Sequence, residues 1–212
     1  MQNKQSLRER KKQATRLAIS DVATRLFIER GFDNVTVADI ADAASVAKMT
    51  VFNYFPRKED LFFDREDESR DLVRVALSER ADGESPIDAL RNLAHELVKQ
   101  KHPFAKFTAG TSSFWQTVKL SPALSDRARA MRDELVNELA EMIAASVDRP
   151  VSDPEARLVA ALFVTTWCVA YVEGLSRYRS GSTNNAVRSA FLNLIDRGFK
   201  GVAVSMKGTP YA

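Results

Sequence analysis

The sequence has 212 residues, of which 45% are hydrophobic and 28% are charged, an ordinary balance for a globular protein with a buried core. Its single cysteine, Cys168, excludes a disulfide within the chain and makes a reducing cytoplasm the expected location. The longest apolar run, residues 158–172, includes two threonines and is too short to span a membrane comfortably, and the charged N-terminus does not resemble a signal peptide.

The net charge of +3 is unevenly distributed along the chain. Residues 1–60 hold eleven Lys and Arg against eight Asp and Glu, whereas the remainder is neutral. The first sixteen residues contain one acid, Glu9, and six bases, which are Lys4, Arg8, Arg10, Lys11, Lys12 and Arg16. This concentration of positive charge favours a polyanionic partner at the front of the chain. The alternative is a solvated arm that keeps the protein soluble.

Apolar residues recur at helical spacing along almost the whole chain, and no strand pattern or internal repeat is found. Gly31 favours a helix end, and Thr36 with Asp39 forms a capping-box pattern at a helix start. The predicted helices span about residues 10–31, 37–43, 47–55, 57–80, 86–101, 104–118, 122–147, 154–179 and 183–206. The sequence therefore predicts an all-α fold of about nine helices.

The segment AKMTVFNYF, residues 47–55, combines three aromatic rings with polar side chains, which suits neither a buried core nor a solvated surface. It follows a short helix and a tight turn at residues 44–46, the arrangement of a helix-turn-helix, whose second helix enters the major groove. Val51 and Phe55 are expected to point inward. The outer face is then formed by Lys48, Met49, Thr50, Phe52 and Tyr54. Asn53 either reads an adenine edge or holds the helix end.

The stretch TVADIADAASVAKMTVFNYFPRKEDLF, residues 36–62, closely resembles the DNA-binding signature of the tetracycline-repressor-like (TetR) regulators. The matching positions are Thr36, Ile40, Ala41, Val46, Lys48, Thr50, Phe55, Lys58, Glu59 and Leu61. The resemblance covers about residues 10–62, and beyond them only helical content and length agree. Three positions depart from the pattern: Ser45 replaces a glycine at the turn, Ala47 a capping Ser or Thr, and Phe52 a tyrosine.

This resemblance implies a ligand-responsive transcriptional regulator, most often a repressor, that binds a palindromic operator as a homodimer and is released by a small effector. It implies a three-helix DNA-binding domain at residues 1–60 with its motif at about 36–55, a larger ligand-binding and dimerisation domain at 61–206, and a tail at 207–212. Carried over by position, the DNA-binding residues are Thr36, Ala38, Lys48, Met49, Thr50, Phe52, Asn53, Tyr54 and Lys58. Lys58 is expected to open the fourth helix, where backbone N–H groups favour a phosphate.

The C-terminal part of the chain suggests two further sites. Its last two helices are strongly apolar, which fits burial within their own domain or a two-fold interface with a partner subunit, and the resemblance favours the dimer. The expected dimer residues are Leu158, Leu162, Phe163, Val187, Phe191, Leu194 and Ile195. A mostly apolar effector pocket is expected from Phe104, Phe107, Thr111, Phe114, Trp115, Thr166, Trp167 and Tyr171. Aromatic residues at this spacing also fit an ordinary closed core.

Two other classes of protein fit the sequence less well than a regulator does. An enzyme is not expected, since the sequence has no Gly-rich phosphate loop and no Ser-centred elbow. Its only histidines, His95 and His102, lack the spacing of metal ligands, so neither a metal nor a cofactor is expected. A nonspecific architectural DNA-binding protein would leave the large neutral C-terminal half without a role.

Overall fold

The computed structural model describes residues 7–212, apart from the side chain of Glu66. Over that range the chain forms nine α-helices and three short 3₁₀ helices, with no strand. Helices α1 to α9 span Leu7–Arg30, Val37–Ala43, Lys48–Tyr54, Glu66–Ser78, Pro86–Lys99, Ala109–Leu120, Pro122–Ala145, Pro154–Arg179 and Asn184–Ser205. The 3₁₀ helices span Phe32–Asn34, Glu59–Leu61 and Pro103–Ala105. The prediction of an all-α fold is confirmed, while Lys4 of the basic segment lies outside the described residues.

The predicted helix at residues 57–80 is interrupted. A 3₁₀ turn at Glu59–Leu61 comes first, and α4 begins only at Glu66. The adjacent side chains of Leu61 and Phe62 are both buried. Both side chains belong to the core of the N-terminal part of the chain. Lys58 therefore precedes a three-residue 3₁₀ turn and does not open the fourth α-helix, contrary to the prediction.

The chain divides into two compact units. The first contains the chain up to Glu66 together with residues 113–128, and the second contains residues 67–112 and 129–212. The first unit has its own core, which joins α1, α2 and α3 to the beginning of α7. Its buried side chains include Phe27, Ile40, Val51, Phe55, Phe62, Val118 and Leu124.

The second unit is organised around α8 and α9, which pack very closely. A Cβ atom placed on Gly198 of α9 would lie 2.3 Å from the Cγ2 atom of Thr166 on α8. A Cβ atom on Gly174 would similarly lie 2.4 Å from the ring of Phe107. The core of this unit also buries Phe163, Phe191, Ile195 and Phe199. Small residues at these contacts let a neighbouring side chain approach the helix backbone.

Helix α8 is also long and apolar enough to cross a membrane by length and composition, and is the one such helix among the described residues. Its most apolar window is 39% buried inside the fold. The core helices of soluble proteins commonly meet the same criteria, so this feature is weak evidence for a span.

The C-terminal residues are anchored to the second unit. Tyr211 is completely buried, and its carbonyl oxygen accepts a hydrogen bond of 3.4 Å from the backbone N–H of Ile87. Burial, together with the neighbouring Asp153 carboxylate, raises the pKa of Tyr211 to about 12. The Tyr211 hydroxyl has no hydrogen-bond partner of normal geometry in the described part of the chain. The side chain of Tyr211 is thus part of the core, close to the beginning of α5.

Candidate DNA-binding site

Helix α2 begins with the capping box that the sequence predicts. The Thr36 hydroxyl accepts a hydrogen bond from the Asp39 backbone N–H at 3.2 Å, and the Asp39 carboxylate accepts from the Thr36 backbone N–H at 2.7 Å. The same carboxylate also accepts from the Thr36 hydroxyl at 2.7 Å. These hydrogen bonds from the Thr36 side chain and backbone hold the pKa of Asp39 below its usual value. The start of α2 is therefore fixed by reciprocal bonds between two neighbouring residues.

The turn between α2 and α3 depends on Ser45. This residue has a φ of 54°, in the left-handed region that favours glycine, which is the residue common at this position in the resembling family. On either side of it, the Ala44 N–H donates to the Ile40 carbonyl and the Val46 N–H donates to the Ala41 carbonyl, both at 2.9 Å. These bonds hold the turn in place in spite of the backbone strain at Ser45.

One side of helix α3 is buried in the core of its unit, and the opposite side is exposed. Val51 and Phe55 are fully buried in the core of the first unit, as predicted. On the opposite side, Met49 is 68% exposed and Phe52 is 40% exposed, although both are large and apolar. The Lys48 ammonium lies 5.9 Å from the centre of the Phe52 ring. A cation and two uncovered apolar side chains on one short helix form a surface suited to a partner with both charged and apolar groups.

The other predicted DNA-binding residues lie near this surface, but not all are equally accessible. Asn53 is exposed on α3, whereas Thr50 and Tyr54 are half-buried. Thr36 and Ala38 are exposed at the beginning of α2. The hydroxyl of Thr36 already has two partners in the capping box, so it is less available than its exposure suggests.

Lys58 points into the first unit. Its ammonium donates a hydrogen bond of 2.5 Å to the Phe32 carbonyl oxygen, and it lies 4.1 Å from the centre of the Phe32 ring. It also lies 5.5 Å from the centre of the Phe27 ring. Loss of hydration in this half-buried position lowers the pKa of Lys58. In this conformation the ammonium binds the protein itself, and the contact of Lys58 with a phosphate stays a prediction.

Arg16 has a structural role that the sequence did not indicate. Its guanidinium lies 5.1 Å from the centre of the Phe55 ring, directly after α3, and donates a hydrogen bond of 2.8 Å to the Asp64 carbonyl oxygen. The Asp64 carboxylate accepts a short hydrogen bond from the hydroxyl of buried Ser20. These contacts join α1 to the C-terminal end of α3. The partners are 39 and 48 residues away in sequence, so local spacing gave no signal for them.

The eight predicted pocket residues are divided between the two units of the chain. Phe114 and Trp115 belong to the first unit, where the Phe114 ring stacks on Phe62 with centres 4.2 Å apart. In the second unit, the Phe107 ring lies 5.1 Å from Tyr171, and both Phe107 and Trp167 contact Phe191. Within the second unit the structure therefore brings together three of the predicted aromatic residues.

The remaining predicted pocket residues contact other residues of the second unit. Thr111 forms hydrogen bonds with Thr108 at the beginning of α6, Phe104 lies against His102, and Thr166 packs on Gly198. A separate cleft of about 500 Å³ in the second unit is largely polar. It is lined by Ser78, Arg80, Ala81, Asp82, Gly83, Glu84, Ser85, Pro210 and Ala212. This cleft contains none of the predicted pocket residues.

The predicted dimer residues fall into two groups. Val187, Phe191 and Ile195 have no accessible surface, because they form the core between α9 and the rest of their own unit. Phe163 is also buried, so these four cannot provide the surface of an interface, and the prediction is corrected for them. Leu158 is 47% exposed, and Leu162 and Leu194 are half-buried.

An exposed apolar stripe runs along α8. It is formed by the exposed Leu158, Val169 and Val172, with the half-buried Leu162 and the exposed Thr165 between them. Their spacing of three or four residues places them on one side of the helix. Val169 and Val172 are more than half exposed and were not in the predicted set. The alternation of buried and exposed apolar residues in α8 concealed this stripe from sequence analysis, which found the helix apolar nearly all round.

Comparison with known proteins agrees with this geometry. Residues 19–64 match the family described as bacterial regulatory proteins, tetR family. The transcriptional regulator TcmR of Streptomyces glaucescens is 27% identical over 165 residues, covering 76% of this chain and 73% of TcmR. The repressor KstR2 of Rhodococcus jostii is 30% identical over 99 residues, covering 43% of this chain and 47% of KstR2.

Two solved structures share the fold. The repressor FadR of Thermus thermophilus, in complex with lauroyl-CoA, has a TM-score of 0.52 and 22% identity over 90% of this chain and 94% of FadR. NalD of Pseudomonas aeruginosa, a secondary repressor of a multidrug efflux pump, has a TM-score of 0.53 and 19% identity over 89% of this chain and 96% of NalD. The relatives are regulators and not enzymes. Residues 19–64 of this chain thus match the tetR family of bacterial regulatory proteins, and the chain as a whole shares its all-helical fold with solved regulators of that family.

Proposed function

We propose that this protein is a cytoplasmic repressor that binds a palindromic operator as a homodimer and is released by a small, mostly apolar effector. In this proposal residues 1–60 bind DNA, and residues 61–206 bind the effector and a second copy of the chain. The observation that carries it is the outer face of α3, where Met49 and Phe52 are uncovered beside Lys48 while Val51 and Phe55 hold the helix from below.

The proposed DNA contacts follow from side-chain chemistry. Helix α3 has seven residues and is about 10 Å long, which fits the major groove. Lys48 is assigned to a guanine edge or a phosphate, and Met49 and Phe52 to thymine methyl groups and sugars. The hydroxyls of Thr50 and Tyr54 are assigned to phosphates, and Asn53 to an adenine edge. Thr36 and Ala38, at the beginning of α2, would approach the sugar-phosphate backbone of the DNA.

The proposed dimer uses the exposed stripe of α8, supported by Leu194 at the edge of α9. Large apolar side chains in a continuous exposed stripe favour burial against another surface. A two-fold interface brings the same stripe of each chain together. If the dimer follows the usual spacing for such regulators, its two α3 helices lie about 34–36 Å apart, one turn of DNA.

The proposed effector is mostly apolar, because the side chains available in the second unit are aromatic and aliphatic. Phe107 and Trp167 lie against Phe191, and Tyr171 lies against Phe107, so this cluster offers apolar contacts with one phenolic hydroxyl. The FadR structure contains lauroyl-CoA, and its likeness to this chain concerns the fold alone. It supports the idea that this fold accepts an acyl chain. An effector weakens operator binding only as far as it prefers the form that does not bind DNA.

Fluorescence anisotropy tests the DNA-binding part of the proposal. Labelled duplexes from the DNA flanking the protein's own gene are compared with a random duplex of equal length. We expect saturable, preferential binding of two chains to one short palindrome. Thr50→Val and Tyr54→Ala should each reduce that affinity about tenfold, since each removes a phosphate hydrogen bond, while sedimentation shows an unchanged dimer. Equal affinity for every duplex would indicate a nonspecific DNA-binding protein instead.

Analytical ultracentrifugation tests the dimer. Val172→Glu places a charge in the α8 stripe, and we expect it to shift the protein to monomers because two buried carboxylates would meet without partners. Val151→Glu is the matched control, since Val151 and Val172 are both 66% exposed but Val151 lies in the loop before α8. A stable dimer in Val172→Glu would exclude this stripe as the interface.

A further inference from the structure

We propose that the first turns of α1 form a second DNA contact, a basic helical extension that binds phosphates beside the site of α3. The extension is defined here as residues 7–14, all of which have exposed side chains. This inference deepens the proposed function and rests on it, because it assigns further contacts to the same DNA partner.

The extension is a helix whose side chains are exposed and take no part in the described core of its unit. The first buried side chain of α1 is Ile19, although the helix begins at Leu7. Eight residues of free helix extend about 12 Å, at a rise of about 1.5 Å per residue. The match to the tetR family begins at residue 19, after this segment. Its presence is not explained by the core of the DNA-binding unit.

The extension has a strong excess of positive charge. Arg8, Arg10, Lys11 and Lys12 are exposed, and none of them forms an ion pair with a described residue. At 100° per residue, Arg8, Lys11 and Lys12 share one side of the helix, and Arg10 points away from them. A solvated helix usually alternates charges of both signs, whereas here Glu9 is the single acid. Three cations on one face suit a row of phosphates.

The C-terminal end of the extension is held beside the end of α3. Arg16 lies over the ring of Phe55, the residue that ends α3, and its hydrogen bond to the Asp64 carbonyl holds that position. The bases of the extension therefore begin one to two helical turns from the C-terminal end of α3. A helix of about 12 Å leaving this point reaches phosphates that flank the bases contacted by α3.

DNA fits this surface better than an anionic membrane does. A helix that lies on a membrane needs a continuous apolar face beside its basic one. Residues 7–14, with the sequence LRERKKQA, contain one leucine and one alanine, so they form no such face. Binding to phosphates requires only charge at the correct spacing and carries a strong dependence on salt.

The test compares two quadruple variants of the full chain that lose the same charge. R8Q/R10Q/K11Q/K12Q neutralises the extension, and K99Q/K101Q/K106Q/K207Q neutralises four exposed lysines of the second unit. Affinity for a random duplex, and for the operator, is measured at several KCl concentrations. Each phosphate contact adds about 0.9 to the slope of log affinity against log salt concentration. We expect the first variant to lower the slope by about 2 to 4 per chain, and the control to leave it unchanged.

Two outcomes would overturn the inference, and both are separate from failure of the proposed function. If wild-type protein prefers the operator but the first variant keeps the slope of the control, the extension does not contact DNA. If the first variant instead loses binding to phosphatidylserine vesicles with an unchanged slope on DNA, its partner is a membrane. Failure of the proposed function has a different signature, namely wild-type protein with no preference for any duplex. An unchanged unfolding temperature confirms that the variant is folded, since the neutralised side chains are exposed.

Discussion

Because α8 and α9 approach closely at Gly198, the effect of a substitution there on the free energy of unfolding can be predicted. Gly198→Ala adds a methyl group that would lie 2.3 Å from Thr166 Cγ2, 2.7 Å from its Oγ1 and 3.1 Å from its Cβ. Rotation of the threonine cannot relieve all three contacts, because both γ atoms and the Cβ atom itself are too close. The two helices must separate, or the side chain must leave its preferred rotamer.

A neighbouring glycine separates the cost of overpacking from the gain in helix propensity. Gly201 lies in the same helix, and a Cβ atom there has no neighbour within 4 Å. Gly201→Ala should therefore stabilise the protein by about 0.5–1 kcal/mol through helix propensity alone. Gly198→Ala gains the same amount but loses about 1–3 kcal/mol through overpacking. The two variants should thus differ by about 1–3 kcal/mol, or roughly 2–12 °C in unfolding temperature for a chain of this size.

Thermal unfolding followed by circular dichroism measures this difference. Protein concentration is held constant, since the stability of a dimer depends on it. Thr166→Ala removes both γ atoms, and the double variant Gly198→Ala with Thr166→Ala should recover at least half of the lost stability. If Gly198→Ala is as stable as Gly201→Ala, α8 and α9 do not pack at this distance and the reasoning fails.

Three further predictions concern single side chains. Lys58→Met keeps the aliphatic stem but loses the charged hydrogen bond to Phe32, so it should destabilise the protein by about 1–2 kcal/mol in urea unfolding; weaker DNA binding at unchanged stability would show that the ammonium points outward. The hydrogen bonds that the Asp39 carboxylate accepts from Thr36 lower the pKa of Asp39 in the folded protein. The ionised carboxylate therefore contributes fully to stability above the unfolded pKa near 3.8, and this contribution is lost as the pH falls through the lower, folded pKa. Asp39→Asn should remove that acid dependence from a pH titration of stability, and an unaltered titration would contradict it. Tyr211→Ala should cost about 3 kcal/mol through the cavity it creates, whereas Tyr211→Phe should be nearly neutral; equal losses would mean that the hydroxyl has a strong partner.

The parts of the fold that were predictable are those with local causes. The boundaries of α2 follow from Thr36 and Asp39, which are three residues apart and satisfy each other's backbone groups. The end of α1 follows from Gly31, whose φ of 82° is unfavourable for other residues. The inward direction of Val51 follows from helical spacing. In each case the signal lies within a few residues of the structure that it determines.

The parts that were not predictable depend on contacts between distant segments. Lys58 turns inward because the Phe32 carbonyl and ring, 26 residues earlier, offer a partner to its ammonium. The Phe114 ring stacks on Phe62, which lies 52 residues earlier in the chain. The sequence identifies such residues as apolar or charged, but it does not specify which surface each of them meets.

The discontinuous first unit has a consequence for hybrid regulators. Its boundaries fall between residues 112 and 113, inside α6, and between residues 128 and 129, inside α7. A fusion that joins the chain up to Glu66 to the effector domain of another regulator would omit Val118 and Leu124 from the core and Phe114 from its stack on Phe62. The first unit therefore cannot be transferred to another protein as its N-terminal segment alone. A functional exchange must transplant residues 113–128 together with the N-terminal segment, or redesign their contacts in the recipient.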